Sequence, residues 1–168
     1  MEYQKELIAE YERETAKTRK MIEAIPESAD LDFKPHPKSM PLGQLAGHLT
    51  DMAGDWAITT LTQDELKYAA DDHKWDPFIP KSKQEVLAKL DEGLPKARKA
   101  LAEIKPDDWD KHWKFIFGEH TWIDQPRHQV FREMVISHMV HHRAQLSVYL
   151  RLLNAKVPGL YGPSADEM

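Results

Sequence analysis

The stretch from residue 127 to residue 154 contains neither Pro nor Gly, and its apolar positions recur every three or four residues. This spacing predicts one long helix, from about Pro126 to Asn154, because residues three and four apart share a helix face. A helix that is apolar on one side must bury that side against other elements. The predicted inward face comprises Phe131, Met134, Val135, His138, His142, Gln145, Tyr149 and Leu152.

Three further segments show the same periodicity. They predict helix one at residues 2–24, helix two from Ser39 to about Leu61, and helix three from Ser82 to about Ile104. The proline-rich segment 25–38 cannot continue a helix and is predicted to be a loop. The length suits one domain covering residues 1–168. The chain is therefore predicted to be all-α, a single four-helix bundle with long crossover loops.

The long connections carry aromatic residues. In the segment 62–82, residues from Gln63 to Ala70 are predicted to form one or two helical turns. Trp75, Phe78 and Ile79 then predict an extended crossover with apolar anchors.

The connection between helices three and four has a different pattern. Trp113, Phe115 and Phe117 alternate along the segment 105–125. Alternation of this kind favours either a short β-hairpin or an extended excursion between the two helices.

The composition excludes several classes of protein. Cysteine is absent, so the chain has no disulfide framework, thiolate nucleophile or Cys-ligated metal. No apolar run approaches the roughly 18 residues of a membrane span, and the N-terminus lacks the apolar core of a signal peptide. These features predict a cytoplasmic protein without a membrane partner. A net charge of −5, with Lys and Arg dispersed among acids, argues against a nucleic-acid partner.

Histidines mark the candidate site. His138 and His142 are four residues apart, so they lie one turn above each other and can reach one metal ion. His141 falls to the side of that face and is a poorer ligand candidate. His48 lies within the apolar stripe of helix two, where an imidazole needs either a hydrogen bond or a metal. The sequence alone leaves both options open.

Together His48, His138 and His142 predict a three-His site with an open coordination position, which is the catalytic type of zinc site. Candidates for the surrounding shell or pocket are Gln44, Trp56, Gln145 and Tyr149. Asp55, seven residues after His48 and predicted to lie on the same helix face, is a candidate second-shell partner, fourth ligand or general base. A solvated helix carboxylate is an equally good interpretation of Asp55.

The pattern of His48 followed downstream by His138-x-x-x-His142-Arg143-Ala144-Gln145-Leu146 resembles the DinB/YfiT-like metalloenzyme family. The ending from Pro158 to Glu167 is also similar, although Ala144 stands where the family often has Gly. The resemblance implies a four-helix bundle, a homodimer, and zinc or nickel held by the three matched histidines. It also implies thiol chemistry, since characterised relatives include transferases and isomerases that use mycothiol or bacillithiol.

The function predicted from these features is that of a metal-dependent enzyme acting on a small-molecule substrate. The expected reaction is thiol-dependent transfer or hydrolysis, with a low-molecular-weight thiol as a further cofactor. The alternative is a non-catalytic metal- or ligand-binding protein of the stress response. A third interpretation is structural, with the histidines serving only as hydrogen-bonding groups of the core.

Overall fold

Four helices form the frame of the protein. The structure is a computed structural model that describes residues 2–69 and 77–168. Helix one is Glu2–Glu23 and helix three is Lys83–Glu103. Helices two and four are each built from three consecutive segments. Those of helix two are Leu42–Asp51, Met52–Trp56 and Ala57–Thr62. Those of helix four are Arg127–Val130, Phe131–Ser137 and His138–Leu152.

The middle segments of helices two and four are π-helical rather than α-helical. They comprise Met52–Trp56 and Phe131–Ser137, and they pack against each other. A π segment places an extra residue in the turn, so it rotates everything beyond it relative to an ideal α-helix. His48 lies one turn before the first π segment and His138 directly follows the second. The candidate site is therefore adjacent to both irregularities.

A three-stranded sheet lies beside the helices. Its strands are β1 (Glu65–Tyr68), β2 (His112–Phe117) and β3 (His120–Pro126), in the order β1-β2-β3. Strand β1 is parallel to β2, and β2 is antiparallel to β3 through a turn at Gly118, whose φ is 59°. The residues between helices three and four thus form a hairpin.

The prediction of an all-α protein is wrong, because the sheet makes this an α/β fold. Strand β1 occupies the segment from Gln63 to Ala70 that was predicted to form helical turns. Its four residues show no clear alternation of burial, and its partner β2 is distant in the chain. Pairing with a distant strand does not change the local spacing of apolar residues, so the sequence did not indicate strand β1.

The proline-containing crossover into helix three is only partly described. The prediction for Trp75 lies outside the described residues. Phe78 is half-buried and Ile79 is 55% exposed, so Ile79 is not an apolar anchor. The backbone carbonyl of Phe78 would lie 2.6 Å from a Cβ at Gly47, so this crossover passes against helix two immediately before His48.

The core lies between the inward faces of the helices, and its residues are fully buried, including Tyr11, Leu45, Leu49, Val135 and Leu146. A buried ion pair also crosses it: Arg143 on helix four donates to Glu14 on helix one. The Tyr161 hydroxyl in the C-terminal segment contacts both partners.

Within the described ranges, no helix is long and apolar enough to cross a membrane.

Candidate metal site

His48 lies on the buried side of helix two. Leu45, three residues before it, and Met52, four residues after it, are 0–1% exposed, whereas His48 is 6% exposed. The apolar stripe that buries helix two therefore carries the imidazole into the interior. On helix four, the regular segment His138–Leu152 places His138 and His142 on successive turns of one face.

The three imidazoles converge. His48, His138 and His142 each offer a nitrogen, and these three atoms lie within 4.8 Å of one another. The ring centroid of His48 is 5.2 Å from that of His138 and 4.6 Å from that of His142. This donor set of three imidazoles suits zinc and other first-row divalent ions. The described residues thus contain a group that could hold a metal ion.

The electrostatics of the group favour neutral rings. Burial, followed by the neighbouring imidazoles of His142 and His138, lowers the pKa of His48 to about 4. Burial, followed by the neighbouring imidazoles of His142 and His141, lowers the pKa of His138 to about 4. Burial also lowers the pKa of His142, against the opposing effect of its hydrogen bond to Gln145. Since only neutral imidazole binds a metal, the site keeps its lone pairs available well below neutral pH.

Hydrogen bonds orient the two rings on helix four. The Nδ1 atom of His142 lies 2.8 Å from Oε1 of Gln145, so Nδ1–H donates to the amide oxygen. That tautomer leaves Nε2 of His142 as an acceptor facing inward. Nε2 of His138 is 2.7 Å away, and its N–H donates to His142. A metal bound by both Nε2 atoms would displace this proton or shift it to Nδ1 of His138.

The ring spacing shows how much adjustment a metal requires. Two nitrogens bound to one tetrahedral zinc are about 3.4 Å apart, because each Zn–N bond is about 2.1 Å. The 2.7 Å separation between the Nε2 atoms of His138 and His142 is shorter. Both rings turn about side-chain torsions on adjacent helical turns, so an opening of less than about 1 Å suffices. The residues present therefore fit a tetrahedral ion.

Asp55 lies apart from this group. Its side chain is 65% exposed and pairs with Lys89 on helix three, with Nζ and Oδ2 3.4 Å apart. The prediction that Asp55 shares the face of His48 assumed 100° per residue across Met52–Trp56, which is π-helical. A role as ligand or general base thus has no support from the contacts of Asp55.

Gln44 is half-buried, one turn before His48.

Two of the other predicted pocket residues, Trp56 and Tyr149, hold an element in place. The ring of Trp56 packs edge-on against Phe115 of β2, with centroids 6.0 Å apart, and so joins helix two to the sheet. Tyr149 is buried and its hydroxyl donates to the carbonyl of Met40 at 2.8 Å, which anchors the loop before helix two. Gln145 is exposed and contacts His142 directly.

A surface cavity borders the site, and two of the residues predicted for the shell or pocket, Gln145 and Tyr149, line it. It has a volume of about 420 Å³ and lies between His142, Gln145 and Tyr149 on helix four and the loop residues 35–40. The sequence did indicate part of its loop wall, since the prolines of the segment 25–38 predicted that this segment is not helical. The hydrogen bond between Gln145 and His141 was not predicted.

Comparisons with known proteins agree with one another. A model of the family described as "DinB family" matches residues 1–168. The uncharacterized protein YrdA of Bacillus subtilis (strain 168) is 24% identical over 157 residues, which cover 94% of this chain and 87% of that protein. The crystal structure of a DinB-like protein from Bacillus cereus ATCC 10987 superposes with a TM-score of 0.67. That match has 22% identity and covers 92% of this chain and 95% of the other, and it concerns the fold alone.

Proposed function

This chain belongs to the DinB family, and on that basis we propose that it is a metal-dependent enzyme that acts on a small molecule. The proposed reaction is transfer of a low-molecular-weight thiol to an electrophile, or hydrolysis. The observation that carries the proposal is the convergence of His48, His138 and His142 from two helices. Three protein ligands leave a position for an exogenous atom, whereas structural zinc sites are closed by four.

The proposed cofactor is zinc or nickel, both of which bind imidazole well. A divalent ion with an open position lowers the pKa of a thiol or water bound to it and polarises a carbonyl. The chain's own residues would hold and orient this group. His48, His138 and His142 supply the nitrogens, and Gln145 fixes the ring of His142 by accepting from its Nδ1–H.

The cavity beside His142 supports a small-molecule substrate. Its volume of about 420 Å³ falls within the range of roughly 300–1,000 Å³ typical of ligand sites. The loop residues that line it are Pro35, Lys38, Ser39 and Met40, and Val148 and Tyr149 of helix four line it as well. Tyr149 holds that loop against helix four through Met40.

Metal analysis followed by a thiol-transfer assay tests the proposal. Purified protein is analysed for bound metals, loaded with zinc or nickel, and assayed for consumption of small thiols with a panel of electrophiles. His138→Ala should lose both the metal and the activity. The matched control is His120→Ala, an exposed histidine of β3 whose ring packs on Trp122, and it should keep both.

Two other results would change the conclusion. Activity that survives complete removal of the metal contradicts a metal-dependent enzyme. Stoichiometric metal without turnover of any thiol or water-labile substrate favours the alternative function, a non-catalytic metal- or ligand-binding protein of the stress response.

The proposal also includes a homodimer, for which light scattering should give about twice the 19.5 kDa mass of the chain.

A further inference from the structure

His141 lies on helix four next to His142 but is not part of the three-His group. Its side chain is exposed, and its ring centroid lies 4.9 Å from that of His142 with the planes at 71°. Its Nε2 atom lies 3.0 Å from Nε2 of Gln145, so it accepts a hydrogen bond from the amide. The other end of the same amide accepts from Nδ1–H of His142 at 2.8 Å. Gln145 therefore bridges the two adjacent histidines.

These contacts form one directed chain of hydrogen bonds. It runs from His138 to His142, then to Gln145 and His141, with each group donating to the next. An amide has one donating and one accepting end, so reversing any bond reverses all three. In the reversed chain His142 carries its proton on Nε2, where it blocks metal binding. The direction of the chain therefore decides whether His142 can act as a ligand.

We propose that His141 is a positioning residue, which orients the Gln145 amide by accepting from it and so keeps His142 in the tautomer that binds the metal. This inference rests on the proposed metal site. His141 contacts neither the metal position nor a substrate in this scheme, and it acts only through Gln145. A carboxylate at residue 145 would remove the need for His141. Both carboxylate oxygens accept hydrogen bonds, so either one can accept from Nδ1–H of His142 without a partner that orients the group.

That difference provides a double-mutant test at one neutral pH. The variants are His141→Phe, which keeps a ring without an acceptor, Gln145→Glu, and the double variant. Zinc affinity is measured by competition with a chromophoric chelator. The tautomer of His142 is measured in the metal-free proteins from ¹⁵N shifts of its ring nitrogens. Gln145→Met, which has the shape of Gln without its polar ends, serves as a parallel variant that breaks the chain.

His141→Phe should weaken zinc binding about 3-fold to 10-fold, the effect of one lost hydrogen bond. Gln145→Met should weaken it by roughly 10-fold to 100-fold, as for other second-shell losses. In the Gln145→Glu background, His141→Phe should change affinity less than about 2-fold. The ¹⁵N shifts should show protonation of Nδ1 in wild-type His142 and a larger share of the Nε2–H form after His141→Phe.

Three results would overturn the inference. The first is that the wild type binds zinc but the His142 tautomer is the same in the His141→Phe variant as in the wild type. The second is an unchanged zinc affinity in the same variant. The third is an equal loss of affinity in both backgrounds, which would mean that His141 acts by another route. A wild-type protein that binds neither zinc nor nickel overturns the proposed function instead, while the tautomer measurement still reports on the hydrogen-bond chain.

Discussion

Arg143, which directly follows His142 in the sequence, donates from its buried guanidinium to the carboxylate of Glu14 on helix one. The same guanidinium donates to the backbone carbonyl of Glu14 at 2.8 Å and to the Thr18 hydroxyl at 3.1 Å. Burial would raise the pKa of Glu14, but hydrogen bonds from Lys17, Tyr161 and Arg143 outweigh it and hold the pKa below its ordinary value. Helix four is thus fixed to helix one beside a candidate ligand.

Replacing Arg143 should therefore destabilise the protein strongly. Arg143→Met removes the buried charge that faces Glu14, and although the hydrogen bonds from Lys17 and Tyr161 remain, we expect a loss of about 3–5 kcal/mol in the free energy of unfolding. Urea denaturation measures this loss. The matched control is Arg151→Met, which breaks a partly exposed pair with Asp166 and should cost less than about 1 kcal/mol. Equal losses in the two variants would contradict the structural role of Arg143.

The lowered pKa values of the site histidines predict that the metal-free protein is less stable in acid. His48 and His138 have a pKa of about 4 in the folded protein against 6.5 ordinarily. Between those values the unfolded chain binds protons that the folded chain does not, so stability falls as pH decreases from about 6.5 to about 4. The loss is at most about 3 kcal/mol for each ring.

Comparing wild type with His48→Leu isolates this effect, since other titrating groups are common to both. Unfolding by urea is followed with a chelator present between pH 7 and pH 4. The wild type should lose stability relative to the variant as the pH falls. A constant difference over that range would show that His48 titrates in the folded state as it does in the unfolded chain.

Gly47 should be required for the approach of the crossover to helix two. A Cβ at this position would lie 2.6 Å from the carbonyl oxygen of Phe78 and 3.1 Å from its ring. Gly47→Ala must therefore displace backbone, at a cost of about 1–3 kcal/mol. Gly162→Ala is the control, because nothing lies within 4 Å of its added Cβ. Thermal unfolding of the two variants measures the contrast, and an unchanged Gly47→Ala midpoint would contradict it.

Asp55 should be dispensable for metal binding. Its carboxylate is largely exposed and pairs with Lys89, away from the three imidazoles. Asp55→Asn should keep the zinc dissociation constant within about 2-fold of wild type, since an exposed ion pair contributes little. His48→Ala, measured by the same chelator competition, should lose tight binding. A loss of 10-fold or more in Asp55→Asn would restore Asp55 as a candidate ligand or base.

The parts of the fold that depend on local pattern could be predicted, and those that depend on distant pairing could not. The spacing of His138 and His142 and the position of His48 in an apolar stripe were enough to predict that they meet. The resemblance to the DinB family is confirmed over residues 1–168. Strand β1 was missed because its partner is β2, far along the chain. The π segment Met52–Trp56 was missed because its hydrogen-bond pattern has no residue signature, and this error also misplaced Asp55.

The ligands of the candidate site come from widely separated parts of the chain, one from helix two and two from helix four. An ion held by all three would therefore act as a reversible cross-link that closes a long loop. Such a cross-link restricts the unfolded chain most when the loop is long. It would also make opening of helix two depend on opening of helix four, so removal of the ion should loosen both helices together in hydrogen exchange.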